Sequence, residues 1–198
     1  MGVTVGRTGD DARAGGRLGR AKGGVAGWPL MTPSPEQPEQ TEQPRDPAGG
    51  VVVREAALED VPTIVAMLVD DPLGQSREDP ADLAPYDAAF VRIAGDPGEV
   101  LVVAELDGQV VGTLQLSVLP SLSRRGALRG QLEGVRVAAD MRGAGVGEQL
   151  VRWALERARA EGCELVQLTS DSSRTGARRF YERLGFTASH VGMKLALR

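Results

Sequence analysis

The chain is poor in the residues that build several common kinds of site. It has one cysteine and one histidine in 198 residues, which excludes an internal disulfide framework, a cysteine-rich zinc cluster and a histidine-based metal site. No run reaches the ~18 apolar residues of a membrane span. A formal net charge of −4 argues against nucleic acid as the partner. We therefore expect a protein without a metal, a membrane segment or a nucleic-acid ligand.

The first fifty residues differ in composition from the rest. They hold 11 Gly and 6 Pro without a repeat, which is typical of a disordered extension. Their basic part is not followed by the ~7–15 apolar residues of a signal peptide, so we expect a cytoplasmic protein. Met31 offers an alternative start. The remaining residues, 51–198, have the size of one domain.

The pattern of apolar residues in 51–198 alternates between strands and helices. Apolar runs and alternation predict strands over residues 51–54, 100–106, 110–118, 131–138, 164–169 and 186–197. Helical spacing predicts helices near residues 58–68, 86–93, 150–158 and 177–184, the last capped by Asp171 or Ser172. Asp107 and Gly108 form a two-residue hairpin turn. The predicted fold class is α/β, a mixed sheet with helices on both faces.

A glycine-rich loop, residues 142–147, lies between the fourth strand and the next helix. Such a loop lets backbone N–H groups meet an anion, and the helix dipole adds about half a positive charge there. A pyrophosphate fits such a site. Glu148 follows Gly147 where a P-loop needs lysine, and the Gly-x-Gly-x-Gly spacing differs from the dinucleotide fingerprint. The alternative is a turn that only lets strand and helix pack closely.

Three segments together resemble the GNAT superfamily of N-acetyltransferases. Arg142, Gly145 and Gly147 after a valine-rich strand resemble its acetyl-CoA loop, residues 107–112 resemble the preceding hairpin, and residues 180–186 resemble its C-terminal signature. The resemblance covers about residues 51–197. It implies a centrally splayed sheet and transfer of acetyl from acetyl-CoA to a primary amine of a small molecule or peptide, by direct attack in a ternary complex. Homodimers are common in such folds.

The resemblance also implies where acetyl-CoA binds. Its pantetheine arm would pair with the strand edge at Val135, Arg136 and Val137, and the Val137 N–H would hold the developing oxyanion. Its diphosphate would lie on the N–H groups of the loop, which are those of Arg142, Gly143, Ala144, Gly145, Val146 and Gly147.

Two side chains are candidates for proton transfer. An alkyl amine is mostly protonated at neutral pH, since its pKa is about 10.4, so a base is useful. Glu133 is the candidate base, because in an unbroken strand it shares the apolar face of Val135 and Val137. The alternative is a bulge at Gly134 that turns Glu133 to solvent. Tyr181 resembles the family tyrosine that protonates the thiolate, and its helical spacing also suits a ring in the core.

A rival interpretation assigns the same fold to a protein that transfers no acetyl group. In it the domain is a non-catalytic acyl-CoA sensor or interaction module, which would need neither Glu133 nor Tyr181. Among the other charged residues, one acidic segment could attract a cationic amine; its carboxylates are Asp70, Asp71, Glu78, Asp79 and Asp82. Arg174 could meet the 3′-phosphate of CoA. Solvated surface charge is the alternative for each.

Overall fold

A five-stranded sheet in the order β1-β2-β3-β4-β5 carries the fold. The structure, a computed structural model, describes residues 50–71 and 75–197, so nearly all of the expected N-terminal extension lies outside the described residues. The strands are β1 (Val52–Glu55), β2 (Glu99–Leu106), β3 (Gln109–Pro120), β4 (Leu128–Val137) and β5 (Cys163–Leu168). The hairpin turn between β2 and β3 has positive φ at Asp107 (50°) and Gly108 (78°), as the sequence predicted.

Helices cover both faces of this sheet. They are α1 (Val61–Val69), α2 (Ala84–Ala94), α4 (Val146–Ala160) and α5 (Thr175–Arg183), while the short segment α3 (Ser123–Gly126) is a turn in which Arg124 and Arg125 have positive φ (52° and 63°). Val102 of β2 packs in one core cluster with α4, and the next residue, Val103, packs in another with Ile64 and Met67 of α1. Because successive side chains of a strand point to opposite faces, α1 and α4 lie on opposite sides. The mixed α/β fold with helices on both faces is confirmed.

The sheet opens between β4 and β5. These two strands are parallel, and their pairing runs from Leu128 to Leu132 of β4, whereas β4 itself continues to Val137. Past Leu132, the edge of β4 that faced β5 therefore has no strand partner among the described residues. This open edge is the splay that the resemblance implied.

A bulge marks the point where the two strands part. Thr113 and Gln115 of β3 are two residues apart, but they oppose Arg136 and Glu133, which are three residues apart. Gly134 supplies the extra residue with a φ of 60°, a conformation that glycine adopts without strain. The bulge breaks the alternation, so the expectation that Glu133 shares a face with Val135 and Val137 is wrong. Glu133 is exposed.

Two details of the C-terminal region also differ from the sequence prediction. Residues 186–197 form no strand, and Val191, Met193, Leu195 and Leu197 are 84–93% exposed, because an alternating pattern makes a strand only where a neighbouring strand pairs with it. Helix α5 begins at Thr175 rather than directly after Asp171 or Ser172. Asp171 instead accepts hydrogen bonds from the Ser173 N–H (2.9 Å) and hydroxyl (2.6 Å), which forms a turn.

The described residues contain neither a membrane-spanning helix nor a cluster of metal-binding side chains. No helix in them is long and apolar enough to span a bilayer. They also contain no group of three or more His, Cys, Asp or Glu side chains that could hold a metal ion.

Candidate active site

The glycine-rich loop presents backbone donors at the start of α4. Gly143 and Gly145 have φ values of 89° and 87°, which only glycine adopts easily. The N–H groups of Arg142 and Ala144 donate to the carbonyls of Ala139 (3.4 Å) and Met141 (3.2 Å). Within the described part of the chain, no hydrogen bond uses the N–H groups of Gly143, Gly145, Val146 or Gly147. These donors remain available to an anion at the N-terminus of a 15-residue helix.

The side chain of Arg142 fastens this loop to the end of α1. Its Nη2 donates to the Asp70 carboxylate (2.6 Å) and carbonyl (3.2 Å), and its Nε donates to the Val137 carbonyl (3.3 Å). Both side chains are more than half exposed, so water screens the pair and its contribution to stability is small. Little stability would therefore be lost if Arg142 left Asp70 to bind an anion.

The open edge of β4 carries backbone groups that point away from β3. The Ala138 N–H donates to the Val111 carbonyl at 2.9 Å. Because alternate residues of an antiparallel strand direct their N–H groups to opposite sides, the N–H of Val137 points to the open edge. Arg136 stands opposite Thr113, so its main chain is directed to β3. The edge after the bulge is therefore formed by Val135 and Val137.

Tyr181 combines a packed ring with a polar environment. Its ring makes edge contacts with Phe180 and Phe186, at centroid distances of 5.0 and 5.7 Å. Burial raises the pKa of its phenol above the ordinary value of 10.0, although the positive charges of Arg136 and Arg174 partly oppose this shift. The hydroxyl is therefore protonated at neutral pH and can donate a proton.

Glu133 lies beside a mainly apolar cavity on the α1 and α2 face of the sheet. The cavity has a volume of about 180 Å³, and Gly134 and Gln115 form part of its wall. Its apolar wall includes Val61, Ile64, Leu68, Phe90, Ile93 and Leu101. Glu133 stands directly opposite Gln115, and opposed residues of an antiparallel pair project to the same face. No side-chain hydrogen bond or ion pair in the described ranges involves Glu133.

An ion cluster at the end of α1 was not predicted from the sequence. Asp71 is only 6% exposed; it pairs with Arg136 Nη2 of β4 at 2.9 Å and with Arg174 at the start of α5. Asp70 pairs with Arg142. The first two carboxylates of the acidic segment thus pair with arginines, which leaves them less available to a cationic amine. Their partners lie far away in the sequence, so no local pattern indicates these pairs.

Comparison with known proteins agrees with this geometry. The Acetyltransferase (GNAT) family matches residues 61–186. The aminoalkylphosphonate N-acetyltransferase of Salmonella typhimurium is 30% identical over 145 residues, which are 73% of this chain and 90% of that protein. The L-methionine sulfoximine/L-methionine sulfone acetyltransferase of Pseudomonas aeruginosa is 32% identical over 151 residues, 72% of this chain and 86% of that protein.

A solved structure is similar over the same region. The crystal structure of a protein named a transcriptional regulator, from Bacillus halodurans C-125, has a TM-score of 0.72 and 45% identity, and the match covers 74% of this chain and 99% of that one. With the family match over more than half of the chain, these findings show that this protein belongs to the GNAT family of acetyltransferases and is an acetyl-CoA-dependent N-acetyltransferase.

Proposed function

We propose that this N-acetyltransferase acylates the primary amine of a small molecule, with Glu133 as the base and Tyr181 as the acid. One observation carries the proposal: the open edge of β4 lies between the unbonded N–H groups of the glycine-rich loop and the bulge at Gly134. A bound thioester carrier can lie along that line. Its far end then reaches the level of Glu133.

The chain's own groups fit acetyl-CoA, which supplies the activated acyl group when bound. The N–H groups of Gly143, Gly145, Val146 and Gly147 hold the diphosphate, supported by the dipole of α4. The edge at Val135 and Val137 pairs with the pantetheine arm as an added strand would. Arg142 adds a cationic side chain at the loop, and the Ala144 N–H donates to the Met141 carbonyl within it.

The two candidate groups for proton transfer lie at suitable positions. Glu133 is exposed beside the cavity and has no partner in the described residues, so it can take a proton from an incoming ammonium, directly or through water. Tyr181 keeps its proton at neutral pH because burial raises its pKa, so it can protonate the departing thiolate. Holding amine and thioester together supplies much of the remaining rate.

The acceptor is a small molecule in this proposal. The two curated relatives described above bear names that refer to small amines, an aminoalkylphosphonate and methionine sulfoximine. The cavity of about 180 Å³ has room for a side chain but not for a folded protein surface. A peptide N-terminus is the variant, since its first side chain would also fit a cavity of this size.

The test measures thiol release from acetyl-CoA in the presence of a panel of primary amines, together with calorimetric titration of the protein with CoA. We expect thiol release that depends on the amine and an equal amount of acetylated product. A non-catalytic acyl-CoA sensor predicts a different result. CoA binding with no amine-dependent thiol release on a broad panel would favour that sensor.

A further inference from the structure

Two arginines share one buried carboxylate on the face of β4 that borders the cavity. Arg136 stands opposite Thr113, just as Glu133 stands opposite Gln115, and both β3 residues line the cavity. Opposed side chains of an antiparallel pair share a face. The Arg136 side chain therefore belongs to the cavity side, away from the core that packs against α4.

Two guanidinium groups meet at one carboxylate here. The Asp71 carboxylate pairs with the guanidinium groups of both Arg136 and Arg174, so one negative charge serves two positive charges. Burial lowers the pKa of Arg136; the charge of Asp71 opposes this shift, whereas Arg174 and Arg77 add to it. The neighbouring arginines thus act against the positive charge of Arg136, which the Asp71 carboxylate supports.

Arg136 also has an unused donor. Its Nη1 donates to the Val135 carbonyl at 2.9 Å, and its Nη2 pairs with Asp71. Its Nε is buried and has no acceptor in the described parts of the chain. A buried donor without an acceptor lowers stability, and native proteins rarely leave one. An unused buried donor beside a second guanidinium group suits an additional anion at this point.

We infer that Arg136 and Arg174 bind an acidic group, a carboxylate or phosphonate, of the acceptor amine, and that the cavity takes an apolar part of the same molecule. The inference rests on the proposed function, since it places the amine at Glu133. Thr113 and Gln115, the partners of Arg136 and Glu133, are two residues apart, about 7 Å along a strand. The two side chains can therefore meet two polar groups of one small molecule.

The phosphates of CoA are the other source of an anion, and the geometry favours the acceptor. The loop expected to hold the diphosphate lies beyond Val137 and has its own arginine, Arg142, which is tied to Asp70 rather than to Asp71. Val135 and Val137 pack on the α4 side of the sheet. Arg136 instead shares the side of Thr113, where the cavity lies.

The experiment compares kcat/KM for matched acceptors in wild-type protein and in Arg136→Gln. The acidic acceptors are L-leucine, L-methionine and 1-aminobutylphosphonate, and their counterparts without an acidic group, called neutral here, are L-leucinamide, L-methioninamide and butylamine. The ratio of acidic to neutral kcat/KM should fall by ~10- to 100-fold in the variant, as expected for loss of a hydrogen-bonded charge pair. Comparing ratios between proteins cancels the difference in amine pKa among the acceptors.

Three controls accompany this measurement. Arg152→Gln removes an exposed arginine of α4 that pairs only with Glu148, and it should leave the ratio unchanged. The affinity for CoA in Arg136→Gln should stay within ~3-fold of wild type, because the binding loop is untouched. If Arg136→Gln does not fold, Arg174→Gln, whose side chain is 32% exposed, should lower the same ratio.

The possible failures are distinguishable. An unchanged ratio in Arg136→Gln and Arg174→Gln would overturn the subsite and leave the N-acetyltransferase intact. A tenfold loss of CoA affinity with an unchanged ratio would assign the arginines to the phosphates. Thiol release with other amines but with none of the six acceptors would overturn the acceptor class. Absence of thiol release with every amine tested would count against the proposed function itself.

Discussion

At the scale of single residues, Tyr181 has surroundings that suit proton donation. Its raised pKa keeps the phenol protonated, and two flanking aromatic rings hold its position. Tyr181→Phe preserves the ring contacts and removes only the hydroxyl. We expect kcat to fall by ~10²–10⁴, the usual contribution of general acid catalysis, in steady-state thiol release.

The affinity for CoA supplies the control for this variant. Calorimetric titration should give nearly the same dissociation constant in wild type and Tyr181→Phe, because the hydroxyl contributes no packing area. A kcat equal to that of wild type would remove Tyr181 from the mechanism. A loss of CoA affinity would instead indicate a binding role.

Glu133 leads to a prediction about the pH profile. Without a base, the reaction depends on the small fraction of amine that is already neutral, which grows as the pH approaches the amine pKa of about 10.4. Glu133→Gln keeps the shape of the side chain, so it should shift the pH optimum of kcat/KM upward. The comparison of full pH profiles tests this. Identical profiles would show that no side-chain base acts here.

The sequence identified part of the candidate site and missed the rest for a physical reason. Glu133, Tyr181 and the glycine-rich loop follow from local patterns and from the family resemblance. Asp71 meets Arg136 and Arg174 only because the ends of α1 and β4 and the start of α5 meet in the folded chain. A charge pair between such distant positions leaves no periodicity in the sequence.

At the scale of elements, Gly112 is the contact through which β3 and the start of α4 approach each other. A Cβ there would lie 2.9 Å from Leu150 Cδ1, 3.0 Å from Val146 Cγ1 and 3.1 Å from the Arg136 carbonyl oxygen. Because Gly112 stands opposite Val137, this close packing also positions the open edge of β4 beside the loop.

Gly112→Ala should therefore destabilise the fold and disturb the cofactor site. We expect the free energy of unfolding to fall by about 1–3 kcal/mol, the usual cost of overpacking, together with a higher KM for acetyl-CoA. Urea unfolding and steady-state kinetics measure the two effects. Gly176→Ala is the matched control, since a Cβ there meets nothing within 4 Å, and it should be neutral or stabilising by about 0.4–1 kcal/mol. Equal stabilities for the two variants would contradict the packing argument.

Among the elements, helices were predicted from the sequence better than strands. Helix α4 was predicted because Leu150, Val151, Ala154 and Ala158 recur at helical spacing, and all four are buried. The prediction of a strand over residues 186–197 was wrong, although the apolar residues there alternate. A helix makes its hydrogen bonds within itself, whereas a strand depends on a neighbour, so periodicity alone predicts helices better.

At the scale of the whole molecule, one ion cluster joins β1, β2 and the approach to α1. The Arg54 side chain of β1 donates to both Asp60 oxygens (2.7 and 3.0 Å) and to Glu105 of β2 (2.7 Å). Asp60 is 5% exposed and also accepts the Ala57 N–H at 2.8 Å. The hydrogen bonds from Arg54 lower the pKa of Asp60, and burial opposes them. The cluster therefore couples the stability of the fold to the charge of Asp60.

This coupling predicts that the free energy of unfolding depends on pH. A carboxyl whose pKa is lower in the folded protein than the ordinary 3.8 contributes fully above that value, and the contribution is lost as the pH falls through the folded-state pKa. Asp60→Asn should lower the free energy of unfolding by about 1–3 kcal/mol at pH 7, and this deficit should shrink below pH 3.8. Urea unfolding at pH 7, 5 and 3 measures this deficit.

Glu148→Gln, in an exposed pair with Arg152, is the control and should change stability by less than about 0.5 kcal/mol at every pH. A deficit of the same size at pH 7 and pH 3 would mean that Asp60 acts through its shape rather than its charge.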